Sequence, residues 1–100
     1  MSYIVSFMPK ANEDMDDIET YLSQFYKDTV KSFFENMKKH VLLLQTFPYM
    51  CPEYNEDSYF KQMVINDYLL FYSIDEKRKR IIIHRILHSK RDIHHDISSK

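Results

Sequence analysis

The sequence predicts an α+β domain: an N-terminal strand and an antiparallel helical hairpin packed on a curved, mainly antiparallel four-stranded sheet. Three observations carry that reading. Apolar residues recur at helical spacing from Ala11 to Leu44. Three runs rich in β-branched and aromatic residues follow between Tyr59 and His88, separated by short polar turns. The chain has 100 residues, a one-domain length with room for a single modest core.

Tyr3 to Phe7 alternate as a short strand, and Pro9 suits entry into a helix because its fixed φ is already helical. Ala11, Met15, Ile18, Leu22 and Phe25 then mark one helix face, while Glu13, Asp14, Asp16 and Asp17 crowd the early turns, where carboxylates favour the positive end of the macrodipole. Lys27-Asp28-Thr29 breaks the pattern and supplies N-cap candidates. Val30, Phe33, Met37, Val41 and Leu44 form the face of a second helix, which Phe47-Pro48 stops. So short a link predicts a hairpin.

Residues 48–57, with two prolines and no periodicity, read as a loop. Strands are expected at Tyr59–Ile65, Tyr68–Ile74 and Arg80–His88, with turns at Asn66-Asp67 and Asp75–Arg78. Leu69, Leu70, Phe71, Tyr72 and Ile74 are apolar on both faces, which places that strand centrally in the meander. In the last strand Ile81, Ile83, Arg85 and Leu87 alternate with Ile82, His84, Ile86 and His88. The expectation is one domain over 1–100, with a polar tail from about residue 90.

The net charge of −1 conceals a division. Residues 1–60 carry five Lys against ten Asp or Glu, and residues 61–100 carry nine Lys or Arg against five acids. The single cysteine, Cys51, forbids an internal disulfide and fits a reducing cytoplasm, where it reads as a small hydrophobe near a loop. Neither a signal peptide nor a membrane span is expected, since apolar stretches such as Val41–Leu44 are far too short to cross a bilayer. Glycine is absent, which excludes the GxGxxG and GxxxxGK phosphate loops and, with them, nucleotide-dependent chemistry by those routes. No cofactor is expected. Nor is a metal, because adjacent His94 and His95 diverge and no Cys or carboxylate stands at zinc-site spacing.

Two groups of residues carry the chemical expectations. Arg85, sharing a strand face with three aliphatics, needs a carboxylate, and Asp14 is the candidate partner in a structural ion pair; the functional alternative is an Arg that stabilises phosphoryl charge. His88, Lys90, Arg91, Asp92, His94 and His95 gather within eight residues at the end of the last strand. They contain the ingredients of RNA cleavage: a base for the 2′-OH, a cation for the developing charge and an acid for the leaving oxygen. Tyr49, Tyr54, Tyr59 and Phe60 offer rings for a base or for a partner groove, whereas Tyr68 and Tyr72 read as core.

With those residues in view, the chain resembles the RelE/ParE toxin superfamily of bacterial type II toxin–antitoxin pairs. The resemblance rests on the opening strand, P-K-A-N-E-D-M-D-D-I-E-T-Y at 9–21, M-V-I-N-D-Y-L-L-F-Y at 63–72 and I-I-I-H-R-I-L-H-S-K-R-D at 81–92. It implies a toxin held inactive by a co-encoded antitoxin that wraps around it, as a toxin–antitoxin hetero-oligomer. RelE-like members are ribosome-dependent mRNA endonucleases that use basic residues on the concave sheet and a terminal Tyr or His. ParE-like members are not nucleases and poison DNA gyrase by binding it. On the first reading His88, Arg91, His94 and His95 would be catalytic; Lys61, Lys90 and Arg91 would hold the target on either. Leu69 stands in the region where nuclease members carry an Arg, and the A-x-x-D-M-x-x-I-x-x-Y helix and R-I-L-H-x-x-R-D ending resemble the ParE side. A third implied reading is an inert module that only binds an antitoxin.

Overall fold

The computed structural model describes residues 2–25, 27–55 and 59–90. Along them run β1 (Ile4–Phe7), α1 (Pro9–Leu22), α2 (Lys27–Thr46), β2 (Lys61–Ile65), β3 (Tyr68–Asp75) and β4 (Arg80–His88). The sheet order is β1-β4-β3-β2. β2, β3 and β4 form the antiparallel meander, while β1 lies parallel to β4 with Phe7 opposite Ile83, so the open sheet is mixed.

α1 begins at Pro9 with extended Met8 as its N-cap. Its first turn contains no acid, so the early carboxylates stand beyond the turn where the macrodipole acts most strongly. Lys27, Asp28 and Thr29 are already helical, and Asp28 occupies the first turn of α2. Ala11, Ile18, Phe33, Met37 and Leu44 are buried against the sheet, but Phe25 lies past the end of α1, is exposed, and stacks edge-on against Tyr21. Among the described residues no helix is long and apolar enough to cross a membrane.

One face of the sheet meets both helices through Met63, Ile65, Tyr68, Leu70, Tyr72, Ile81, Ile83 and Ile86, the main core. Tyr72, fully buried, donates its hydroxyl to the Pro48 carbonyl at 2.9 Å, so an otherwise costly buried polar group is satisfied. Gln45 fastens the N-terminus to the end of α2: its carbonyl accepts from Tyr3 N–H at 3.0 Å and its amide donates to the Tyr3 carbonyl at 2.9 Å.

Two turns need a left-handed residue in a chain without glycine. Asn66 takes φ 55° between β2 and β3, an inexpensive choice because Asn tolerates that region. Lys79 takes φ 51° between β3 and β4, where the ion pair from its Nζ to Glu76 Oε1 at 2.7 Å helps hold the turn. Its carbonyl also accepts the Ile4 N–H at 3.0 Å, which fixes the start of β1 on the same turn.

The alternation expected along β4 is interrupted. Phe71 faces Arg85 while Tyr72 faces Ile83, which leaves His84 as the extra residue of a bulge. Ile81, Ile83 and Ile86 consequently join the helix-side core, and Leu87 joins Phe71 in a second cluster. Leu87 is therefore not a face-mate of Ile81 and Ile83.

Candidate target-binding face and the sheet ends

β1 leaves the sheet at Phe7, turning into α1, so β4 beyond Ile83 has no strand on that side. Asp14 of α1 fills the gap. Its Oδ2 accepts from Arg85 Nε at 2.8 Å and from the Ile86 backbone N–H at 2.9 Å, and its Oδ1 accepts from Arg85 Nη2 at 2.9 Å. The side chains of Arg85 and Asp14 are only 17% and 9% exposed. One carboxylate thus neutralises a sheltered guanidinium and satisfies an edge amide, a bidentate geometry that fixes how α1 sits on the sheet.

The face of the sheet away from the helices carries the second cluster. Phe71 and Leu87 are buried there, with Leu69, Tyr54 and Phe60 packed against them. Their cover comes from the chain before β2, which folds back so that Tyr54 N–H donates to the Phe60 carbonyl at 2.9 Å and Gln62 N–H to the Pro52 carbonyl at 3.0 Å. Glu53 forms an isolated bridge opposite Lys61. Tyr59 and Phe60, expected in the second strand, instead bring their rings within 5.9 and 4.9 Å of the His84 ring. β2 starts at Lys61, after this lid has turned.

His84 received no role in the sequence reading, yet it stands at the centre of this face. Its Nε2 hydrogen-bonds Ser73 Oγ at 2.8 Å, and burial holds its pKa below the ordinary imidazole value. Ser73 is only 2% exposed, which shuts its hydroxyl away from any substrate. The pair secures the bulge rather than forming a nucleophile site. The available signal is a polar His within an apolar run, although position alone makes it one more residue of the strand.

The candidate basic residues do not converge. Lys61 faces Tyr72 and His88 faces Tyr68, four residues apart along β3, or roughly 13 Å at about 3.3 Å per residue. Lys61 places its Nζ 5.5 Å from the centre of the Tyr49 ring and donates to the Cys51 carbonyl at 3.5 Å. At the other end the His88 ring stands edge-on to buried Tyr68, and its Nδ1 accepts the Lys90 N–H at 3.2 Å. Lys90 is exposed. Arg91, His94 and His95 lie outside the described residues. Among the described residues, no group of three or more His, Cys, Asp or Glu could hold a metal ion.

Beside Lys61, Glu76 gathers a network. It accepts from the hydroxyls of Tyr3 and Tyr49 and from Lys79 Nζ. These donors pull the Glu76 pKa down to about 2, and the same carboxylate pushes the Tyr49 hydroxyl up to about 12.

Chain-level comparisons agree with this architecture. No curated protein resembles the chain closely enough to count as a match. Among solved structures, the fold is similar to the chromosomal ParDE toxin–antitoxin system from P. aeruginosa, with TM-score 0.73 and 15% identity over 89% of this chain and 98% of that one. It is also similar to the RelBE2 toxin–antitoxin complex from Mycobacterium tuberculosis, with TM-score 0.61 and 18% identity over 88% and 99% of the two chains. The intact E. coli RelBE toxin–antitoxin complex gives TM-score 0.62 and 11% identity over 90% and 100%. A family model described as ParE toxin of type II toxin–antitoxin system, parDE, matches residues 5–93. With the helical hairpin, the mixed sheet and nearly the whole sequence accounted for, the chain belongs to the ParE toxin family within the RelE/ParE superfamily of type II toxins.

Proposed function

We propose that this toxin arrests growth in the cytoplasm by binding its target, in the manner of the ParE-like members that poison DNA gyrase, and that a co-encoded antitoxin neutralises it. The observation that carries this reading is the apolar character of the sheet face away from the helices. Leu69, in the region where superfamily nucleases carry an Arg, packs with Phe71 and Leu87 under Tyr54 and Phe60. Cleavage of RNA needs a cation where negative charge develops and a base for the 2′-OH. The apolar cluster supplies neither and His84 beside it is engaged by Ser73, while the exposed Tyr59 and Val64 next to the cluster suit the apolar centre of a protein interface. The antitoxin would cover exposed apolar surface such as Leu43, Phe47 and Met50 at the end of α2.

A gyrase supercoiling assay with purified toxin, run beside primer extension on translated messages after induction, tests the reading. Inhibited supercoiling without ribosome-linked cuts is expected, and co-expression of the neighbouring small gene should restore growth. Ribosome-linked cleavage with unimpaired supercoiling would overturn it in favour of an mRNA endoribonuclease centred on His88, Arg91, His94 and His95. Harmless expression with no antitoxin present would favour the inert module.

A further inference from the structure

Cations stand at both ends of the sheet, and at the end away from His88 only Lys61 has been given a target-binding role. There the β3–β4 connection reads Asp75-Glu76-Lys77-Arg78-Lys79-Arg80, with Asp75 and Arg80 facing one another across it. Lys61 belongs to the same end, since it faces Tyr72, three residues or roughly 10 Å along β3 from Asp75. Five cationic side chains thus share this region with three carboxylates, those of Glu53, Asp75 and Glu76.

The carboxylates are unevenly committed. Glu76 is bound by Lys79 and the two tyrosine hydroxyls. Asp75 accepts from the Arg78 backbone N–H and from its Nη1, both at 3.2 Å, but the Arg78 side chain is 78% exposed. An ion pair so exposed is worth little and exchanges readily for a stronger anion. Lys77 is exposed and makes no ion pair among the described residues. Arg80 donates to Ser6 Oγ at 2.6 Å, a neutral partner that leaves its charge uncompensated there.

We propose that this turn end is a nucleic-acid-binding surface, on which Lys77, Arg78 and Lys61 contact successive backbone phosphates without reading base identity. The shape favours a phosphate chain over an acidic protein. Residues 75–80 include no apolar side chain to serve as the anchor from which protein interfaces take most of their energy. The exposed Tyr49 ring beside Lys61 has its hydroxyl held by Glu76. The turn offers instead a row of projecting cations fixed by a short hairpin, the requirement for displacing condensed counterions. This surface is separate from the apolar face and from the His88 end, so it stands whether the toxin acts on gyrase or on a message.

Fluorescence anisotropy of the full chain with a labelled duplex DNA, and separately with a labelled single-stranded RNA, tests the proposal across about 50 to about 200 mM salt. Binding should weaken steeply with salt. The double variant Lys77→Ala, Arg78→Ala should lower the magnitude of the log–log slope by about two, one per lost phosphate contact, to a similar degree on unrelated sequences. A charge-matched control, Lys31→Ala with Lys38→Ala on α2, should keep the wild-type slope. Whichever probe binds more tightly identifies the backbone. Absence of binding at the lowest salt, salt-independent binding, or equal losses in the turn and control variants would each overturn the proposal.

Discussion

The two faces of the sheet are built on different terms. The helix-side face is closed by two helices over a continuous core, and the stretch of β4 that β1 leaves bare is capped by Asp14. The opposite face has only the small cluster of Phe71 and Leu87, covered by a lid that lacks regular structure for most of its length. Adjacent residues of β3 belong to different sides: Leu70 is fully buried in the main core, while Leu69 is half-buried at the rim of the small cluster. The first face holds the molecule together, and the second is cheap to alter without unfolding it. That division would let the outer face diverge on a stable frame.

Adjacent substitutions give the largest separation between the faces. Leu70→Ala should cost about 3 kcal/mol through lost burial and a residual cavity, whereas Leu69→Ala should cost about 1 kcal/mol; urea denaturation of both measures the gap. Equal costs would mean that the lid closes its face as firmly as the helices close theirs. The sealed edge comes next. Asp14→Ala should destabilise by about 3 kcal/mol, since it strands both a guanidinium and an amide, while Arg85→Met, which leaves the carboxylate its Ile86 partner, should cost less. An Arg85→Met variant as unstable as Asp14→Ala would show the amide contact to be unimportant.

The smallest effects are those of pH. His84 has a depressed folded-state pKa, so the stability tied to its neutral form is present above about 6.5 and declines as pH falls below that value. Glu76 is depressed to about 2 from an ordinary 4.5, so its share is present above 4.5 and is lost as pH drops towards 2. Acid melts of His84→Gln and Glu76→Gln should therefore flatten in separate windows, the first near neutrality and the second in strong acid. A His84→Gln profile identical to wild type would remove His84 from the account of the outer face.

Much of this is legible in the sequence, because periodicity reports which residues face a core. The 3.6-residue pattern from Ala11 to Leu44 and the three later runs are direct imprints of burial. Long-range placement left no such imprint. The run from Ile81 to His88 fits a continuous strand, and adjacent His84 and Arg85 do not themselves show which residue is extra; only pairing with Phe71 and Tyr72 does. The segment before β2 has no period, and its packing on Phe71 depends on contacts that no local pattern encodes. Proximity along the chain groups His88 with Lys90, whereas Lys61 and the cations of the β3–β4 hairpin come together only in the fold.

The reach of the Asp14 contacts has a temporal side. Its partners Arg85 and Ile86 follow it by 71 and 72 residues. A ribosome delivers α1 long before it delivers β4, so the nascent helix carries a lone aspartate through most of synthesis. Loop closure over such a span is slow compared with forming either helix. The edge amide of β4 is thus expected to be claimed late, and until Asp14 reaches it that bare edge is open to a strand from another chain.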